Sequence, residues 1–139
     1  MKLKIEEKEG VSIIRIHGRM FIGDDTRNFR KALLNVLDKS DKVLVDLSDC
    51  RYMDSAGIGE MVRSLMTAQD RGAQLKMMNL SKKVKDLFYN LRLVSVFKIF
   101  DDETKAIMSF YRGKLSSSKK SKKSSKVSRA KSTKSTGKK

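Results

Sequence analysis

Short β-branched runs and helix-period apolar stripes alternate along the first 112 residues, and this alternation limits the fold more than any other feature. Val11-Ser-Ile-Ile-Arg-Ile-His17 reads as a strand that ends at Gly18. Lys2 to Ile5 can pair with it through the Lys8-Glu9-Gly10 turn. Asp24-Asp25-Thr26 predicts a helix start, with acids at the positive end of the dipole, and Phe29, Leu33, Val36 and Leu37 form one face of that helix. Val43 to Leu47 is a short buried strand. Ile58, Met61, Val62, Leu65 and Met66 form a second stripe, which Gly72 stops. Leu75–Met78 is a further strand, and Ser81 opens a helix carrying Val84, Leu87, Phe88 and Leu91. Val96 to Phe100 reads as a last core strand, followed by a helix with Ala106, Ile107 and Phe110. After the opening strand pair, strand and helix alternate, which predicts an α/β layer with right-handed crossovers, a mixed β-sheet packed with about four helices.

From Gly113 the pattern stops. Lys114 to Lys139 hold 11 basic residues and no acid, whereas residues 1–113 carry a net charge of only +5 out of the chain's +16. Three apolar residues (Leu115, Val127, Ala130) cannot bury enough surface there to offset chain entropy. The expectation is one folded domain, residues 1–112, and a disordered basic tail, residues 113–139. Such a tail can give weak, non-specific, salt-dependent contact with nucleic acid or an anionic membrane. No aromatic interleaves its lysines, so base stacking is not expected.

Several chemistries drop out. One Cys (Cys50) allows no internal disulfide, and with one His (His17) it cannot complete a structural zinc site. No metal and no cofactor is expected. Met1-Lys-Leu-Lys-Ile-Glu-Glu has no apolar leader core, and no run approaches the roughly 20 apolar residues that span a bilayer. A cytoplasmic location is the default. His17, with no second ligand, reads as structural; Cys50 reads as a small half-buried side chain in a loop; and Met61, Met66, Met77 and Met78 sit at core spacings. Asp46 and Asp54 do not make a phosphoaspartate site, because Ile16-His17-Gly18 supplies no acidic pair to hold magnesium. No nucleophile–base pair is present, so the chain reads as a non-enzyme with no catalytic residue and no small-molecule substrate.

Asp54-Ser-Ala-Gly-Ile-Gly59 is the most distinctive segment, between a strand and a helix. Two glycines near a helix start permit a tight turn or close approach of backbone. The spacing fits no phosphate loop or dinucleotide fingerprint. From local chemistry alone, Asp54 or Ser55 is an N-cap.

Val43-Leu-Val-Asp-Leu-Ser48, then Tyr52-Met-Asp-Ser-Ala-Gly-Ile-Gly-Glu-Met-Val62, resembles the STAS domain of the anti-sigma factor antagonists. The match continues through Arg71-Gly-Ala-Gln-Leu-Lys76, Val84-Lys-Asp-Leu-Phe88 and Val96-Phe-Lys-Ile-Phe100. The resemblance implies a phosphorylation site at Ser55 and a partner-binding surface formed by Asp54, Ser55, Ala56, Gly57, Ile58 and Gly59. It implies that the unphosphorylated chain binds an anti-sigma factor, itself a serine kinase, and so releases a sigma factor. Phosphate on Ser55 would break that complex, and a serine phosphatase would restore it. Nearby Asp54 and Glu60 would add to the negative field at the switch. Gly18-Arg-Met-Phe-Ile-Gly-Asp-Asp-Thr26 departs from the family's stretch after the second strand, and Ala56 leaves Ser55 as the one phosphoacceptor in the motif. The alternative is a scaffold module in which Ser55 is only a cap and the tail is a polyanion tether.

Overall fold

A computed structural model of the chain describes residues 1–116, so the tail expectation for residues 117–139 lies outside the described residues. The elements are β1 (Lys2–Lys8), β2 (Val11–Met20), α1 (Asp24–Leu37), β3 (Lys42–Met53), α2 (Ser55–Asp70), β4 (Gln74–Met78), α3 (Lys82–Asn90), β5 (Ile99–Phe100) and α4 (Glu103–Ser116). They form a mixed five-stranded sheet in the order β1-β2-β3-β4-β5 with four helices. β1 is antiparallel to β2, from Lys2 opposite His17 to Lys8 opposite Val11. Glu9 and Gly10 close this hairpin with φ of 53° and 79°, the left-handed pair that suits the strand twist. The other neighbours are parallel, each joined by a helix.

One sheet face carries Ile14, Ile16, Val45, Leu47, Leu75 and Met77 into the main core. Phe29, Leu33 and Val36 of α1, Ile58 and Met61 of α2, and Val84 and Phe88 of α3 cover that face. The opposite face buries Ile13, Leu44 and Met78. It also holds Arg15, whose guanidinium donates to Asp46 Oδ2 at 2.8 Å, Glu6 Oε1 at 3.0 Å and Glu103 Oε1 at 3.0 Å. Glu103 takes a second cation, Lys8 Nζ at 2.7 Å, so the first turn of α4 is ion-paired to β1 and β2. Asp46 is thus buried and paired, a structural carboxylate.

Several elements differ from the expected ones. β2 does not end at Gly18; that residue, at φ 103°, lies where the register shifts, so the strand bulges and continues to Met20. β3 likewise continues to Met53 and takes in Cys50, expected in a loop and half-buried. The thiol is fully buried, and burial pushes its pKa up to about 11. The last strand is only Ile99–Phe100, because the amides of Val96 and Phe97 turn back onto the Leu93 carbonyl. Val96 and Leu91 are exposed, while Phe97 packs on Phe88 at 5.6 Å. Met66 is exposed too, since α2 turns Ser64 and Ala68 inward instead. α4 continues through Gly113 to Ser116; an interior glycine weakens a helix by about 1 kcal/mol without ending it.

Candidate functional site at the start of helix α2

β3 delivers the Asp54–Gly59 segment to the point where the parallel strands end and α2 begins. Asp54 has extended backbone (φ −82°, ψ −178°) and is the N-cap. Its Oδ1 accepts from the Gly57 amide at 2.9 Å, satisfying a first-turn donor that the helix itself cannot. Its Oδ2 accepts from the Ile22 amide at 2.9 Å, 32 residues away in sequence. Partial burial pushes this carboxyl's pKa up, but the N–H groups of Ile22, Gly57 and Ala56 outweigh that and hold it below the usual range.

The same loop is gripped from its other side. Asp25, in the first turn of α1, accepts from the Phe21 amide at 3.0 Å. Two consecutive loop amides are therefore divided between two helix starts. With the backbone fixed this way, the side chains of Phe21 and Ile22 face solvent, at 40% and 75% exposure. Phe21 lies between the Arg19 guanidinium at 5.7 Å and the Tyr52 ring at 5.9 Å. The result is a held apolar rim beside the motif. Sequence reasoning missed both residues; two large apolar side chains between Gly18 and Gly23, off any strand or helix period, were the available signal.

Ser55 occupies the first helical position and is exposed. Its hydroxyl makes no hydrogen bond with any described residue. Of the two candidate caps, Asp54 alone does the capping, so Ser55 is left without a structural task. Ala56 is half-buried, and Gly59 is exposed one helical turn beyond Ser55. Gly57 and Ile58 are buried and serve the segment from beneath. A Cβ on Gly57 would lie 3.0 Å from the Met20 carbonyl oxygen and 3.2 Å from Met20 Cγ, so close packing of β2 requires glycine there. A Cβ on Gly59 would meet nothing within 4 Å. That glycine leaves a bare strip of helix next to Ser55.

Glu60 does not add to the field at Ser55. Its side chain is 5% exposed and turned toward α1, where Arg30 Nε stands 2.9 Å away, while Ser64 Oγ, one turn further along α2, donates to it at 3.1 Å. The pair ties α1 to α2, and its charge is neutralised in the interior. His17 Nδ1 sits 2.9 Å from Asp49 Oδ2 on neighbouring strands, a surface pair. Among the described residues, no group of three or more His, Cys, Asp or Glu could hold a metal ion. Nor is any helix among them long and apolar enough to cross a membrane.

The fold and this segment define a small mixed α/β domain whose distinctive chemistry is a single unengaged serine at a helix start. The STAS domain model matches residues 2–106, and the chain belongs to that family. The fold is similar to that of a Thermotoga maritima protein provisionally described as an anti-sigma factor antagonist, at 22% identity over 79% of this chain and 95% of that one, TM-score 0.72. It is also similar to an anti-sigma factor antagonist from Mycobacterium paratuberculosis (16% identity, 78% and 92% covered, TM-score 0.67). A third similar structure is the phosphorylated form of SpoIIAA, a Bacillus cell fate determinant (15% identity, 78% and 99% covered, TM-score 0.62).

Proposed function

We propose that this chain is an anti-sigma factor antagonist, switched off by phosphorylation of Ser55. The observation that carries the reading is the division of labour at the helix start: Asp54 holds the structure while the exposed Ser55 hydroxyl is free. SpoIIAA, which shares the fold, has a phosphorylated form. In this reading the unphosphorylated surface, Asp54 to Gly59 with the Phe21–Ile22 rim, docks on an anti-sigma factor that is itself a serine kinase. A serine phosphatase reverses the mark. The chain is substrate and binder rather than enzyme, and it works in the cytoplasm.

The physics favours a surface switch. A phosphoserine brings roughly −1.5 to −2 charge, and a helix N-terminus tolerates negative charge. The nearest backbone donors are already taken by Asp54, so the phosphate projects outward beside a second anion. It would repel an acidic partner group and hydrate the apolar rim that a partner must dry. The fold should survive, while docking should not. The domain boundary near residue 112 belongs to the same proposal, with residues 113–139 as an appended basic segment that tethers weakly to polyanions.

Wild-type and Ser55→Ala chains incubated in extract of the source cell test this, with sites mapped by mass spectrometry. Phosphate on Ser55, absent from the variant, and loss of the captured kinase with Ser55→Asp are the expected results. Phosphate confined to the tail serines, or none under several growth conditions, would return the domain to an unmodified scaffold.

A further inference from the structure

We propose that a cavity at the β4–β5 edge, bordered by Asn79, Lys85 and Asp101, binds a free α-amino acid with a large apolar side chain. The cavity holds about 590 Å³, within the range of small-ligand sites. It lies beyond the carboxyl ends of two parallel strands, where open α/β sheets leave their crevices. Val94, Phe97 and Ile99 supply an apolar wall. Phe97 is 3% exposed and locked against Phe88, so the wall is preformed.

The polar groups narrow the ligand class. The side chains of Asn79, Lys85 and Asp101 make no hydrogen bond or ion pair with any described residue. Lys85 and Asp101 line one cavity with opposite charges and yet are not in contact with each other. Elsewhere on this surface such charges do close, as Lys4 and Glu6 do at 3.1 Å. One cation and one anion that line the same cavity beside an apolar wall suit a molecule that carries both charges. Its carboxylate would take Lys85 and the side-chain Nδ2–H of Asn79, whose backbone N–H is engaged elsewhere, its ammonium would take Asp101, and its side chain would lie on Val94 and Phe97. A phosphate-bearing ligand would meet repulsion from Asp101, and a simple fatty acid would leave that carboxylate unused.

The rim is held in place. Asn79 adopts φ 57°, a left-handed conformation that asparagine tolerates, and its N–H donates to the Phe100 carbonyl at 2.8 Å. Two residues on, Ser81 Oγ donates to the Cys50 carbonyl at 2.6 Å, on the strand that leads to Asp54. The site is separate from Ser55, and its occupancy can be read without phosphorylation.

The test is a ¹H–¹⁵N titration of the full chain with L-phenylalanine and L-leucine. Saturable shifts at the amides of Asn79, Val94, Ile99 and Asp101 are expected. Lys85→Met and Asp101→Asn should each weaken binding about tenfold or more, the loss of one charged hydrogen bond. Phenylalanine amide and N-acetylphenylalanine, each lacking one charge, should weaken similarly. Both substituted side chains are exposed, so an otherwise unchanged spectrum confirms that the variants fold. Absence of saturation up to about 10 mM, undiminished binding by either variant, or equal binding of a blocked analogue would overturn the proposal.

Discussion

The starts of α1 and α2 lie at the same end of the sheet and carry the same dipole, yet their side chains are used in opposite ways. At α1 every polar group is engaged. Asp25 takes the Phe21 amide, Asp24 pairs with Arg27, and the Thr26 hydroxyl bonds back to Gly23, donating to its carbonyl at 3.0 Å. Two acids already offset the dipole in that first turn. At α2 the first turn holds no acid, and a single cap residue, Asp54, does all the holding. Ser55, Ala56 and Gly59 are left with no structural duty. The same backbone element is closed in one place and chemically open in the other, and only the open one has room for an added charge.

The tie between the two helices offers the largest way to break this arrangement. Arg30→Ala leaves Glu60 buried without its nearest cation, and breaking such a pair should destabilise the domain by about 3 kcal/mol, read from urea unfolding. An unchanged midpoint would mean that Arg63, 3.5 Å away and mostly exposed, suffices by itself. Next comes Gly57→Val. The added side chain presses on the Met20 carbonyl oxygen, 3.0 Å from where its Cβ would lie, so a loss of about 1–3 kcal/mol is expected in the same assay.

These two sites also mark where sequence reasoning succeeded and stopped. The strand–helix alternation was legible because short β-branched runs give way each time to apolar residues at helical spacing, and the Glu9–Gly10 turn follows from residue type. The α2 stripe was misread at Met66 because the α1–α2 interface is partly polar, and hydrophobic periodicity cannot register a buried Glu60 or Ser64. Gly18 looked like a stop because positive φ serves a bulge as readily as a strand end. In the candidate site, Asp54 was legible as a possible cap. Its bond to Ile22 was not, since a backbone amide reached across 32 residues leaves no side-chain pattern.

Removing the cap sharpens the comparison at intermediate scale. Asp54→Ala should cost about 1 kcal/mol at neutral pH and release the Ile22 amide. The folded carboxyl sits below its ordinary range, so it binds protons less readily folded than unfolded. Its contribution is therefore complete above the unfolded value, about pH 4, and is lost as pH falls through the lowered folded value. Thermal melts of wild type and variant should differ at pH 7 and converge in acid. Curves separated by a constant gap would show that the cap acts by something other than its charge.

Gly59→Ala should move stability the other way by about 0.5–1 kcal/mol, because an exposed helical glycine with open space around it has no packing reason to be glycine. A destabilised variant would mean that the bare strip is needed by the fold rather than left over for a partner.

The smallest effect on stability, and the most telling, is expected from Ser55→Asp. The side chain is exposed, occupies the first helical position, and makes no bond that the change would remove. Repulsion from the Asp54 carboxylate works against the favourable dipole, so the two charge effects partly cancel, and the free energy of unfolding should change by no more than about 0.5 kcal/mol. Capture of the partner kinase should nevertheless fail. That pairing of a silent melt with lost binding is what an open helix start predicts. A variant that melts early but binds normally whenever folded would place Ser55 within the structure, and the contrast between the two helix starts would collapse.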